Sequence, residues 1–150
     1  MNHQLTNQVK LLQKAVLVVN EEFLILKRSP SSHTRANNWD LPGGNSEWPA
    51  NVDTNIANPY QADLIREIEE ETGIKVDVGQ LGNRPIYFGT YFERKKQLYT
   101  VIVGWKIDLP AKPQIKISSE HTEFTWIKPL EFDNFEFGFA GEKFGFIRQM

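Results

Sequence analysis

The chain has 150 residues, 40% of them hydrophobic and 24% charged, which fits one ordinary globular domain over residues 1–150 with a sizeable core and no disordered tract. Seventeen basic against nineteen acidic side chains, a net charge of -2, exclude the broad positive surface that a nucleic acid polymer or an anionic lipid needs, so the expected partner is a small molecule. With no cysteine and three scattered histidines, disulfides, thiol catalysis and thiolate metal sites are excluded, and any metal is expected on oxygen donors.

In chain order, the polar start "MNHQLTNQVK" has no signal-peptide core behind it, and no apolar run is long enough to span a bilayer, so a cytoplasmic protein is expected. "QKAVLVVN" and "EEFLILKR" read as two strands of a hairpin around Asn20-Glu21-Glu22, and the polar stretch 29–38 as a loop. "WDLPGG" is a short extended segment stopped by Pro42 and turned at Gly43-Gly44. Residues 45–57 have no periodicity and are expected to form a loop. A helix over 59–72 then begins with Asn58 as cap, Pro59 at the first helical position and Gln61 as capping-box partner. Leu64, Ile65, Ile68 and the Thr72 methyl form its apolar stripe, and Gly73 is its left-handed stop. "IKVDV", "RPIYFGTYFER", "QLYTVIVGWKI" and "EFTWIK" read as strands, the second and third joined by a hairpin at Arg94-Lys95-Lys96. The tail "FAGEKFGFIRQM" is expected as a short amphipathic helix. Strands, one acidic helix, more strands and a closing helix point to an α/β fold with helices on both sides of a mixed sheet.

The acidic helix carries the chemistry. Residues three and four apart share a helix face, so Glu67, Glu70 and Glu71 are expected to converge while Glu69 points away. Like charges at these spacings destabilise a helix by roughly 0.2–0.5 kcal/mol per pair, and acids near the C-terminal end oppose the macrodipole. Arg66 can offset this through Asp63, Glu69 and Glu70, and a divalent cation can offset more. A solvated, salt-bridged surface helix is the alternative from these residues alone.

Taken with the upstream "WDLPGG", the segment "REIEEETGI" resembles the Nudix box, G-x5-E-x7-R-E-U-x-E-E-x-G-U, and Arg66, Glu67, Ile68, Glu70, Glu71, Gly73 and Ile74 match its second half without a mismatch. The hairpin, the loop "SPSSHTRANN" and the later "SSEHTEFTWIKPLEF" also resemble segments of that family in order and type. The resemblance implies a Nudix-type α/β/α sandwich around a mixed β-sheet. It further implies hydrolysis of a nucleoside diphosphate linked to another moiety, with Mg2+ or Mn2+ as cofactor. By position, Glu70 and Glu71 are then the principal metal ligands, Glu67 is a further ligand or the base, and the Gly43 carbonyl is a backbone ligand. Arg66 orients the carboxylates, and Glu120, six residues before Trp126, resembles a loop glutamate that serves as ligand or general base.

From Gly44 to Arg66 the chain takes 22 steps where the pattern takes 14, and the box glutamate eight positions before the arginine is replaced by Asn58. Either Glu47 or Asp53 supplies the missing carboxylate, or the position is auxiliary and Asn58 simply caps the helix. Arg28 and Arg35 are the expected cationic partners of the substrate phosphates, because the guanidinium fork matches phosphate oxygens. Trp39, Tyr87, Phe88, Tyr91 and Tyr99 can stack a base or pack in the core. His33 and His121 are expected in loops, without metal. A nucleoside triphosphate, an ADP-ribose-like compound and a nucleotide sugar all remain open as substrate. So does a Nudix-fold nucleotide sensor that binds without cleaving, and many members of the family are homodimers.

Overall fold

The computed structural model describes residues 8–47, 61–138 and 140–150. The expected cap Asn58-Pro59, the loop centre and Asp53 lie outside the described residues. Strands β1 (Val9–Val19), β2 (Glu22–Arg28), β3 (Trp39–Asp40) and β4 (Gly43–Asn45) are followed by helix α1 (Gln61–Thr72) and the short α2 (Val78–Leu81). Strands β5 (Tyr87–Glu93), β6 (Leu98–Asp108) and β7 (His121–Ile127) come next, then the 3-10 segment Pro129–Asn134, α3 (Ala140–Lys143) and a last 3-10 segment Gly145–Gln149. The main sheet order is β3-β2-β1-β6-β5, with β4 pairing β1 and β7 pairing β2.

The β1–β2 hairpin closes with Val19 opposite Glu22, leaving Asn20 and Glu21 as a two-residue loop with φ of 48° and 68°. Those left-handed values define the turn type whose twist suits a hairpin. Beyond it the two strands separate. β1 continues parallel to β6 through ten residue pairs, from Val9↔Tyr99 to Val18↔Asp108, while β2 turns to β3 and β7. The gap between β1 and β2 admits the Pro-Gly-Gly turn, whose Gly43-Gly44 pair is itself strand β4, paired antiparallel to Lys14 and Gln13. The glycine pair was expected as a turn alone; it also joins a ladder, because β1 presents a free edge there.

Both sheet faces are covered. On one, Leu64 and Ile68 of α1 pack on Leu11, Ala15, Leu17 and Trp105. On the other, Val16, Phe23, Ile25 and Ile127 meet Phe132, Phe137, Phe144 and Ile147 from the C-terminal segments. This is the expected α/β arrangement, with the closing helix broken into a single α turn, Ala140–Lys143, and a 3-10 segment that begins at Gly145. On the α1 face a buried polar chain runs from Trp105 Nε1 to Gln13 Oε1 (3.0 Å) and from Gln13 Nε2 to Ser46 Oγ (2.7 Å). It fixes the segment after β4 to the central strands. Inside the sheet Gln13 would otherwise leave polar atoms unpaired, at about 1–3 kcal/mol.

"IKVDV" is not a strand. Ile74 and Val76 alternate inward and are buried, but they pack into the cluster beneath α1 and join no ladder. Asp77 then starts α2, its N–H donating to Gln80 Oε1 at 2.8 Å. Among the described residues no helix is long and apolar enough to cross a membrane.

Candidate active site

Helix α1 is aimed by its packing. Leu64, Ile68 and Thr72 are buried, Thr72 Oγ1 donates to the Ile68 carbonyl at 2.6 Å, and the helix stops where Gly73 takes φ +76° and donates to the Glu69 carbonyl at 2.8 Å. Gln61, the expected capping partner, donates instead to the Gly82 carbonyl at 3.2 Å, tying α1 to the end of α2.

With this rotation fixed, Glu71 is carried under the helix and against β4. Its Oε2 accepts the Gly43 N–H at 2.8 Å, and the residue is 7% exposed. Gly43 is required there. Its φ is +132°, and a Cβ would stand 2.1 Å from the Gln13 carbonyl oxygen. At Gly44 a Cβ would stand 3.1 Å from the Glu67 carboxyl carbon, so the bare backbone lets that carboxylate lie against β4.

The expected convergence of Glu67, Glu70 and Glu71 is partial. Neighbours on a helix are about 100° apart, so burying Glu71 turns Glu70 to the surface. There both Glu70 oxygens accept from Arg66 Nη1 at 3.2 Å. Arg66 also reaches Glu67 at 3.3 Å and Asp63 at 3.8 Å, whereas Glu69, expected among its partners, lies 4.0 Å from Lys75. Among the described residues no three acidic or histidine side chains stand in the arrangement of a preformed metal site. Glu47 is exposed, its N–H donating to Asp63 Oδ2 at 3.2 Å.

Titration behaviour marks the same spot. Burial pushes Glu71 up to about 8, against the lowering influence of the Lys14 charge and the Gly43 N–H, with Asp40 and Glu67 adding to the rise. Glu67 is also raised, chiefly by burial, with Arg66 opposing and Glu70 and Glu120 contributing. A buried carboxyl held up this way gains most from a cation. The donors here are all oxygen, which suits a hard divalent ion such as magnesium or manganese. Glu67, Glu70, Glu71 and the Gly43 carbonyl therefore fit such an ion in their chemistry, although their side chains are not pre-gathered around one.

Across the turn from Glu71 is a basic cluster that sequence reasoning found only in part. Arg28 Nη1 and Arg35 Nη2 reach Asp40 Oδ2 at 3.2 and 2.7 Å, so the two arginines are brought together. Two members of the cluster went unread. Asp40 is 1% exposed and also meets Lys14 Nζ at 3.1 Å, and Lys14 donates further to the carbonyls of Leu41 (3.1 Å) and Gly43 (3.3 Å). Burial alone would raise Asp40, yet the charges and hydrogen bonds of Lys14 and Arg35 hold it down at about 2. The signal for Lys14 was a lysine interrupting the apolar run of β1; it reads as an ordinary strand end until β1 is seen to begin at Val9.

His121, expected in a loop, opens β7 opposite Arg28 and is buried. Burial lowers its pKa, and among the described residues its Nδ1 has no hydrogen-bond partner. Glu120 beside it is exposed, and its carbonyl accepts the Ser29 N–H at 2.9 Å. Of the aromatics, Trp39 packs edge-on against Phe135, Tyr87 stacks on Phe146 and Tyr99 tilts on Phe92. Tyr91 lies under the Lys143 ammonium at 4.2 Å, and Phe88 is exposed.

Fold and site together define an α/β protein whose acidic helix is clamped by a Pro-Gly-Gly turn beside a buried basic cluster. Residues 12–149 match the NUDIX domain model, so the chain belongs to the Nudix family. A MutT-like protein of Streptomyces ambofaciens is 32% identical over 99 residues, covering 65% of this chain and 53% of its own length, so the chain spans about half of that relative. The fold is also that of a MutT protein from Methanosarcina mazei Go1, with a TM-score of 0.69 and 24% identity over 97% of this chain and 95% of that one. A bifunctional NMN adenylyltransferase/ADP ribose pyrophosphatase from Francisella tularensis, complexed with AMP and a Mn ion, aligns with a TM-score of 0.54 and 24% identity over 82% of this chain and 34% of that one.

Proposed function

We propose that this protein hydrolyses a nucleoside diphosphate linked to another moiety, with Mg2+ or Mn2+ as cofactor. One observation carries the reading: the segment 40–44 has two of the box glutamates, Glu71 and Glu67, against Gly43 and Gly44 on one side, and two phosphate-matching arginines on the other, through Asp40. Glu67, Glu70, Glu71 and the Gly43 carbonyl would hold the cation, which when bound neutralises charge on the diphosphate. Arg28 and Arg35 receive phosphate oxygens, their forks oriented by Asp40. Arg66 steadies Glu67 and Glu70. Glu67 or Glu120 accepts the proton of the water whose oxygen attacks phosphorus, and the anhydride oxygen departs with the leaving phosphate. The partner is a small nucleotide derivative and the setting is cytoplasmic.

A panel of nucleoside triphosphates, dinucleoside polyphosphates, ADP-ribose and nucleotide sugars, assayed with magnesium for phosphate or pyrophosphate release, identifies the substrate. Replacing Glu70 with Gln is expected to abolish most turnover and shift the magnesium requirement upward; unchanged turnover and metal dependence in that variant would overturn the assignment. The partial convergence of the glutamates favours one other reading, a nucleotide sensor. Calorimetry that detects nucleotide binding with no turnover across the panel would select it.

A further inference from the structure

Lys14 is the least expected residue of the site. It lies on the central strand β1, its side chain 5% exposed, and its three donors meet three acceptors: Asp40 Oδ1, the Leu41 carbonyl and the Gly43 carbonyl. Gly43 is thus shared. Its carbonyl faces the lysine ammonium while its N–H is bound to Glu71. A divalent ion taking both the Gly43 carbonyl and Glu71 must therefore settle beside a buried positive charge, where water screens little. Arg28 and Arg35 add two more cations on the far side of Asp40. Asp40 is shared by all three cations.

We infer that Lys14 couples metal binding to substrate binding: its ammonium opposes a divalent cation at Gly43 and Glu71 until a diphosphate supplies the compensating negative charge, so metal and nucleotide each tighten the binding of the other. This rests on the cradle proposed above. The consequence is a site that binds metal weakly alone and more tightly when a nucleotide is present.

The test is titration of MnCl2 into wild-type protein, K14Q, K14M and K14R, with and without α,β-methylene ADP, followed by calorimetry and by the electron paramagnetic resonance signal of free Mn2+. Wild type and K14R are expected to bind Mn2+ weakly alone and at least about tenfold more tightly with the nucleotide. K14Q, which keeps an amide donor for the carbonyls but not the charge, is expected to bind Mn2+ alone about tenfold more tightly than wild type, with most of the nucleotide's effect gone. Thermal unfolding of each variant checks the fold, and K14Q and K14R carry the test if K14M does not fold. Equal or weaker Mn2+ binding by K14Q than by wild type overturns the inference alone. No Mn2+ binding by any variant, even with nucleotide, overturns the cradle as well.

Discussion

Asp40 and Glu71 are two carboxyls at opposite sides of the same short turn, both out of water, and their acidities lie about six units apart in opposite directions, about 2 against about 8. Burial pushes both upward. What separates them is company: Asp40 accepts from Lys14, Arg28, Arg35 and the Leu41 N–H, whereas Glu71 has the Gly43 N–H and the more distant influence of Lys14. One carboxylate is already saturated with cations and serves as a fixed post. The other is a vacancy in charge terms, and a vacancy of this kind is what a cation-binding ligand needs to be.

Removing the charge of Asp40 breaks the comparison at its stable end and has the largest expected effect. Asp40→Asn removes the buried carboxylate that Lys14 and two guanidinium groups share, and breaking a buried pair this way costs about 3–5 kcal/mol. Thermal unfolding should show a large drop in midpoint. A variant as stable as wild type would mean that water already screens the cluster.

The converse change is expected to spare the fold and remove the chemistry. Glu71→Gln replaces a mostly neutral buried carboxyl by a neutral group of the same shape that can still accept the Gly43 N–H, so stability should stay within about 1 kcal/mol. Activity should fall at least about a hundredfold, roughly 2.7 kcal/mol of transition-state stabilisation, because an amide cannot replace the carboxylate toward a divalent ion. Measuring both on one preparation decides whether the turn has a structural and a functional side.

The pH dependence sharpens the same contrast. Asp40 has a folded pKa below its unfolded 3.8, so its contribution is complete above that value and is lost as pH falls through about 2. Over that shift linkage gives about 2 kcal/mol. The stability gap between wild type and Asp40→Asn should therefore narrow between pH 5 and pH 2, a change read from urea unfolding at fixed temperature. A constant gap would show that Asp40 acts through packing rather than charge.

How much of this was legible depends on whether a role needs near or distant partners. The acidic helix could be read because spacing alone decides a helix face, and its stop at Gly73 and stripe at Leu64 and Ile68 are local properties. The strands of β5, β6 and β7 followed from alternation and turn residues. The depth of Glu71 could not be read, because it depends on the helix docking against a β4 strand that pairs with β1, 28 residues upstream of the helix position it contacts. Asp40 and Lys14 were invisible for the same reason: each is an ordinary polar residue until the gap between β1 and β2 brings them within 3.1 Å. "IKVDV" had the right alternation for a strand, but Ile74 and Val76 pack into the cluster beneath α1 instead of joining a ladder, an outcome decided by the tertiary fold and not by the segment.

The smallest expected effect separates the two glycines that join the comparison's two sides. Gly43→Ala is barred by both φ +132° and a 2.1 Å clash with the Gln13 carbonyl oxygen, whereas Gly44 takes no such backbone conformation and a Cβ there meets only the end of the Glu67 side chain at 3.1 Å. A carboxylate at the end of a flexible chain can retreat by a few tenths of an ångström at little cost to stability. If Glu67 is a ligand or the base, that retreat moves a reacting group, and Gly44→Ala should lower kcat by about three- to tenfold, roughly 0.7–1.4 kcal/mol, with KM nearly unchanged. If Glu67 only shapes the surface, kcat will not move. The result bears on Glu67 alone, since Gly43, whose N–H holds Glu71, lies one residue back and keeps its pairing with Lys14.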